Sequence, residues 1–274
     1  MELKHVKLKN GTSCSYREFN SISEFEQYIA DTPLNSVFRW EKLGSSDTST
    51  PSWYATKSYE EAMEKLHNGD KKLAEKLTGV LHIEKHAMNE LVQKPSYSVA
   101  GYQASVPRYL QGLPTNMINK KMVVQKQRVI TITKNIGYLG NYSASQIIDE
   151  AVRAVQLINT IEAKGIRCNL YVSSIAEAGI GSNRKAVGFR VKIKSAGERT
   201  HISKLAFPLA NPSMLRRFSF RYREVAPETT PAFKGGYGAS CQTGELFIKQ
   251  KGEYYIPTMT TQYEMDNLIK SIIS

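Results

Sequence analysis

The sequence is poor in the residues that build disulfide and metal frameworks. It has three cysteines, Cys14, Cys168 and Cys241, and five histidines in 274 residues. The cysteines form no CxxC pair, which excludes a zinc ribbon or a thioredoxin-like motif and is typical of a reducing compartment. No apolar run approaches the ~20 residues that span a bilayer, and the first seven residues lack the apolar core of a secretion signal. We therefore expect a cytoplasmic protein.

Acidic residues are scarce in the second half of the chain. Residues 1–118 carry 14 Lys and Arg against 14 Asp and Glu, whereas residues 119–274 carry 23 against 11. The whole net charge of +12 therefore belongs to the second part. From position 184 to position 223 there are eleven basic residues and a single acid, Glu198. This surplus indicates an anionic partner, because Lys and Arg that contact phosphates release counterions.

Residue sets that would identify a reaction are also missing. His82 and His86 are four residues apart, but two ligands do not fix a metal ion. The glycine-rich loops at 179–185 and 235–238 do not match a phosphate-binding loop, and no nucleophile and base can be paired from the sequence. We predict no cofactor and no catalytic residue. The sequence favours a non-enzymatic protein, but it does not exclude an enzyme.

Composition divides the chain near residue 118. Residues 1–118 predict an α+β region, in which Ser58 with Glu61 caps a helix that ends at Gly69. Within it, residues 94–118 alternate proline, glycine and tyrosine, which predicts an ordered connector rather than regular structure. Residues 119–274 predict a basic α/β domain.

The second domain begins with a clear strand–helix–strand pattern. Residues 129–133 are a β-branched run, Ser143 and Gln146 predict the start of a long helix that ends at Gly165, and residues 168–172 alternate as a strand. A βαβ unit predicts two parallel neighbouring strands with a right-handed crossover. Further along, residues 246–248 and 254–256 predict two strands and residues 265–272 a terminal helix.

Cations of the second domain follow the period of a strand. Residues 187, 189, 191 and 193 are apolar and alternate with Arg190, Lys192 and Lys194, which predicts an antiparallel strand, placed at the sheet edge, with one cationic side. Residues 218–223 show the same alternation and predict a second basic strand. The predicted nucleic-acid contacts are therefore Arg184, Lys185, Arg190, Lys192, Lys194, Arg216, Arg217, Arg221 and Arg223.

The order of elements over residues 123–274 resembles a von Willebrand factor A-like domain of Rossmann type. The resemblance implies an α/β fold with a mixed, mostly parallel sheet flanked by helices in the C-terminal half. Such domains hold Mg²⁺ with the motif D-x-S-x-S, and the matching residues here are Asn141, Ser143 and Ser145. Because an amide replaces the carboxylate that offsets Mg²⁺ dehydration, we predict no metal site at this degenerate motif.

Three segments also resemble a family of proteins from tailed phages and prophages. They are WYATKSYEEA at 53–62, VPRYLQGLPTNM at 106–117 and NPSMLRR at 211–217. The resemblance implies a phage or mobile-element origin. We expect the protein in the host-cell cytoplasm, with the virion as the alternative. We predict a non-enzymatic protein that binds nucleic acid through the basic face of its C-terminal domain. The alternative is a protein-interaction module, for a host factor or a virion assembly, that offers this face to an acidic protein. No membrane partner is expected.

Overall fold

The computed structural model of the chain describes residues 2–80, 92–123, 128–198 and 200–273. The strands are β1 (Glu2–Lys7), β2 (Ser13–Phe19), β3 (Val92–Ser98), β4 (Gln103–Ala104), β5 (Met117–Val123), β6 (Val129–Asn135), β7 (Arg167–Ala178), β8 (Lys185–Lys194), β9 (Ala239–Ser240) and β10 (Glu253–Ile256). The α-helices are α1 (Ile22–Asp31), α2 (Pro51–Tyr54), α3 (Tyr59–Asn68), α4 (Lys71–Val80), α5 (Val106–Leu110), α6 (Ala144–Ala163), α7 (Ile202–Ala210), α8 (Phe220–Val225), α9 (Gly244–Phe247) and α10 (Gln262–Ile273). Short 3-10 helices cover Ser36–Phe38, Gly181–Asn183 and Pro231–Phe233, and a π-helix covers Met214–Ser219.

The main sheet has the strand order β1-β2-β8-β7-β6-β10, with the short β9 paired to β7. The pairs β2–β8, β6–β7 and β6–β10 are parallel, whereas β1–β2, β7–β8 and β7–β9 are antiparallel. The protein therefore has an α/β fold with a mixed, largely parallel central sheet flanked by helices, as predicted. No helix in the described ranges is long and apolar enough to cross a membrane.

The predicted βαβ unit is β6, α6 and β7. Ser143 accepts a hydrogen bond from the Gln146 backbone and closes a capping box, which satisfies amide groups at the start of α6. Ala151, Val155 and Ile158 are buried on one side of α6, and each aliphatic side chain of this kind contributes roughly 1.5–3 kcal/mol through burial. Gly165 ends the helix at φ +79°, a backbone angle that L-residues with a side chain avoid. The predicted parallel pairing of the two strands is confirmed by the β6–β7 register.

The N-terminal segment shares the main sheet and its core. β2 runs parallel to β8, and Ser58 caps α3 as predicted, with its Oγ 3.2 Å from the Glu61 backbone nitrogen. Phe25 on α1 packs 4.6 Å from Phe189 on β8, measured between ring centres. The division at residue 118 stays a prediction, and strands from both sides of that position lie in one sheet.

Three expectations about secondary structure are wrong. β8 lies between β2 and β7 and not at the sheet edge. Residues 218–223 belong to the π-helix and α8, because Phe218, Tyr222 and Val225 bury one side at helical spacing. The predicted strand at 246–248 does not form, because Leu246 and Phe247 are the last two residues of α9. The predicted terminal helix and the strand at 254–256 are confirmed as α10 and β10.

A second, separate sheet has the order β3-β5-β4. Together with α5 it makes up residues 92–123, which we call the small sheet. It includes residues 94–118, for which the sequence predicts an ordered connector without regular structure. That prediction is wrong, because β5 pairs with both β3 and β4 in regular antiparallel ladders.

Candidate anion-binding pocket

A cavity of about 160 Å³ lies past the carboxyl end of β6. Its walls come from α2, from the loop after β6, from the middle of β7, from the π-helix with α8, and from the loop before β9. Ligands of open α/β sheets bind outside the carboxyl ends of parallel strands. The cavity therefore lies where this fold class places its binding sites.

Two arginines reach the cavity from one continuous helical segment. Arg216 belongs to the π-helix and Arg223 to α8, which follows it directly. A six-residue π-helix is rare, and π-helical turns are frequent at functional sites. Its side chains are all buried, so that this segment brings its cations into the interior of the protein.

Arg216 is held by backbone carbonyls and an aromatic ring. Its Nη1 and Nη2 donate to the carbonyl oxygens of Trp53 and Tyr142, and its Cζ lies 4.1 Å from the centre of the Trp53 ring. Only 1% of the residue is exposed, and burial lowers the pKa of Arg216 to about 10. Its Nε is buried and has no hydrogen-bond partner among the residues described.

Arg223 shows the same combination of burial and incomplete bonding. Its Nη2 donates to Ser174 Oγ at 3.1 Å and its Nη1 to the Ser219 carbonyl at 3.2 Å. The residue is 2% exposed, and burial lowers the pKa of Arg223 to about 10. Within the described part of the chain, Arg223 Nε is also without an acceptor. Each arginine thus has one N–H donor that the protein leaves unused.

Ser240 and Gly137 complete the polar side of the cavity. Ser240 Oγ is buried and unpartnered in the described ranges. A Cβ atom at position 137 would collide with Ser240 Oγ and would lie 3.0 Å from Asn135 Oδ1. Asn135 Oδ1 also accepts a hydrogen bond of 2.8 Å from the Gly137 backbone. Glycine at 137 therefore keeps the hydroxyl and the backbone close together at this wall.

The charges of the pocket arginines are not balanced by ion pairs. A third buried arginine, Arg217, packs on Tyr54 and donates to Thr56, Ser45 and Asp47 through neutral oxygen atoms. In the part of the chain that the structure describes, no carboxylate oxygen lies within 4.0 Å of any of the three guanidinium groups. The nearby buried Glu224 is bonded to Ser45 and Tyr237 instead.

The cavity offers binding chemistry rather than acid–base chemistry. Its described lining contains no histidine, carboxylate, lysine or thiol, so no group that exchanges protons near neutral pH faces it. It offers cationic N–H donors, hydroxyls and the aromatic rings of Trp53, Phe220 and Tyr237. Charged donors in a space of low dielectric bind an oxyanion more strongly than they would in water.

The remaining predicted contacts fall into separate places. Arg190 pairs with Glu18 at 2.9 Å and donates to Thr133, and Lys194 pairs with Glu162 at 2.6 Å. Their exposed fractions are 9% and 3%. Two of the three predicted cations of β8 are therefore internal, where carboxylates from β2 and α6 neutralise them.

The other predicted cations lie nearer to the surface. Lys192 is partly exposed with its Nζ 5.5 Å from the centre of the Tyr171 ring, and Arg221 Nε donates to the Ile29 carbonyl at 3.2 Å. Arg184 and Lys185 are exposed, and with Lys7 they line an open groove of about 500 Å³ between the β1–β2 turn and the turn before β8.

The degenerate metal motif serves as a helix start. Ser143 Oγ and Ser145 Oγ lie 2.9 Å apart at the N-terminus of α6, and Ser143 is the cap described above. Asn141 is exposed in the preceding loop. Across the described residues, no group of three or more His, Cys, Asp or Glu could hold a metal ion.

Sequence reasoning found Arg216 and Arg223 but missed the residues that surround them. Trp53, Gly137 and Ser240 are far apart in the chain, and no local pattern links them. The sequence carried no signal for this site, because the burial of all six residues from 214 to 219, two arginines among them, is visible only in the folded chain.

Comparison with known proteins identifies a family whose function is unknown. A family model described as a domain of unknown function, DUF7192, matches residues 7–273. No curated protein and no solved structure matches the chain.

Proposed function

The chain belongs to the DUF7192 family, and we propose that it binds a small oxyanion in the pocket of Arg216 and Arg223. The anion is free, or it is the phosphate or carboxylate end of a larger ligand. The single observation that carries the proposal is the unused N–H donor on each of two buried arginines that have no carboxylate partner. A buried charge without a counter-charge is costly, and an anion in the cavity would remove that cost.

The size of the cavity supports the same ligand class. A water molecule in the liquid takes roughly 30 Å³, so that 160 Å³ has room for an oxyanion of four or five heavy atoms. A whole nucleotide is too large for the enclosed space. If the anion is part of a larger molecule, the rest of that molecule extends past Trp53 and the loop before β9.

Isothermal titration with phosphate, sulfate and acetate tests the proposal. We expect phosphate or sulfate to bind the wild-type protein, and Arg223→Met to abolish binding. Lys251→Met is the matched control, because it removes the same charge from an exposed position that lines neither the pocket nor the groove. Equal heats for wild type and Arg223→Met would contradict the proposal.

Nucleic-acid binding by the C-terminal basic face is a second proposal, and the exposed groove of Lys7, Arg184 and Lys185 supports it. Three phosphate contacts to a duplex predict a slope of about −2.7 for log affinity against log salt concentration. Gel shifts with Arg184→Gln and Lys185→Gln test it, and binding that does not weaken with salt would exclude it. A phage origin and an acidic protein partner are further proposals, and nuclease-resistant capture of a protein would favour the partner.

A further inference from the structure

Where its side chains are described, at residues 96–119, the small sheet buries no apolar side chain. Among residues 96–119 the only buried side chain is that of Ser105. Val99, Val106 and Leu110 are 75%, 64% and 78% exposed. A sheet of three short strands is normally stable only when an apolar face is covered by another part of the protein or by a partner. We therefore expect a binding partner on this exposed surface.

The charge of the small sheet limits what that occupant is. Residues 92–123 contain Lys94, Arg108, Lys120 and Lys121 and no acidic residue. In the backbone register of β3 and β5, Lys94 is the partner of Lys121. A second copy would bring four more cations to the same place. A polyanion would neutralise them.

The small sheet also carries three exposed tyrosines, one of them in contact with Arg108. Tyr97, Tyr102 and Tyr109 are 47%, 60% and 67% exposed. Arg108 lies with its Cζ 4.3 Å from the centre of the Tyr97 ring, and its Nε and Nη2 donate to the Thr115 carbonyl and hydroxyl at 2.9 and 3.1 Å. Arg108 is therefore fixed in place, and its charge is not used in an ion pair among the described residues.

We propose that the small sheet binds single-stranded nucleic acid. Exposed tyrosines stack on unpaired bases, and the cations of the same segment contact the phosphates, which is the combination that binds single strands with little sequence preference. A duplex hides the faces of its bases, and an acidic peptide has no planar bases for the tyrosines. The site is distinct from the arginine pocket and from the groove of Lys7, Arg184 and Lys185.

Fluorescence anisotropy of a labelled 20-nucleotide oligo(dT) with the full chain tests the proposal. Stacking contributes about 1–3 kcal/mol per base, so we expect Tyr102→Ala and Tyr109→Ala each to weaken binding at least about fivefold. Tyr263→Ala, which removes a tyrosine that is 74% exposed on α10, should leave the affinity unchanged. Four phosphate contacts predict a salt slope of about −2.8 for a single strand.

Several results would overturn the proposal. One is an equal affinity of the wild type and both tyrosine variants for the oligonucleotide. Another is tighter binding of a duplex than of a single strand. The third is a loss of binding in Arg184→Gln while the tyrosine variants bind as the wild type does. Sedimentation velocity gives an independent check, since a wild-type dimer that Tyr109→Ala converts to a monomer would assign the surface to a second copy. Thermal melting of each variant shows that it is folded, and the exposed positions predict unchanged midpoints.

Discussion

Phosphate should raise the Tm of the protein, and the size of the rise can be worked out from the hydrogen bonds that the pocket offers. An anion that accepts from both unused Nε–H donors gains two hydrogen bonds, and hydrogen bonds to charged groups contribute about 1.5–3 kcal/mol each. A sum of about 3–6 kcal/mol corresponds to a Kd between roughly 40 µM and 6 mM. For a Kd of about 1 mM, 10 mM phosphate stabilises the folded state by about 1.4 kcal/mol.

That free energy converts to a measurable change in Tm. A chain of this size shifts by about 2–4 °C per kcal/mol, so we expect a rise of about 3–6 °C in differential scanning calorimetry. Sodium chloride at equal ionic strength is the reference, and Lys251→Met should respond like the wild type. The reasoning is refuted if phosphate and chloride give the same midpoint, or if Arg223→Met keeps the phosphate response.

Three further predictions concern buried polar groups. Lys194→Met leaves the Glu162 carboxylate buried without its ion pair and should cost about 3–5 kcal/mol in urea unfolding, whereas adding Glu162→Leu should recover much of the loss; equal losses would contradict the pairing. Arg223→Met in phosphate-free buffer should change stability by less than about 1.5 kcal/mol, because it removes a charge that no carboxylate balances; a loss as large as that of Lys194→Met would indicate an internal counter-charge. Burial raises the pKa of the Cys14 and Cys168 thiols to about 12, so neither should react with Ellman's reagent at pH 8 before unfolding, and rapid labelling of the native protein would show that they are accessible.

The sequence predicts local structure well where the signal is itself local. The period of the apolar residues in α6, the cap at Ser143 and the glycine at 165 lie within one segment of about twenty residues, and together they determine the βαβ unit. The alternation along β8 also predicts a strand correctly. Its surroundings are not predictable in this way, because Glu18 and Glu162 come from distant segments and turn Arg190 and Lys194 into internal residues.

The pocket is a case in which long-range contacts decide the outcome. Two adjacent arginines at the end of a predicted helix are typical of a solvated surface, and the sequence alone favours that interpretation. Arg216 is instead enclosed by carbonyl groups of Trp53 and Tyr142, which lie 163 and 74 residues away in the chain. Of the cations between positions 184 and 223, Arg190, Lys194, Arg216, Arg217 and Arg223 are internal. The expectation of an anionic ligand therefore applies to the pocket of Arg216 and Arg223 as well as to the exposed cations.

A crystal structure of the protein grown in phosphate tests the central claim most directly. The account predicts a tetrahedral anion in the cavity, with its oxygens within 3.2 Å of Arg223 Nε or Arg216 Nε. A cavity that holds only ordered water at saturating phosphate, with both Nε atoms bonded to that water, would contradict it.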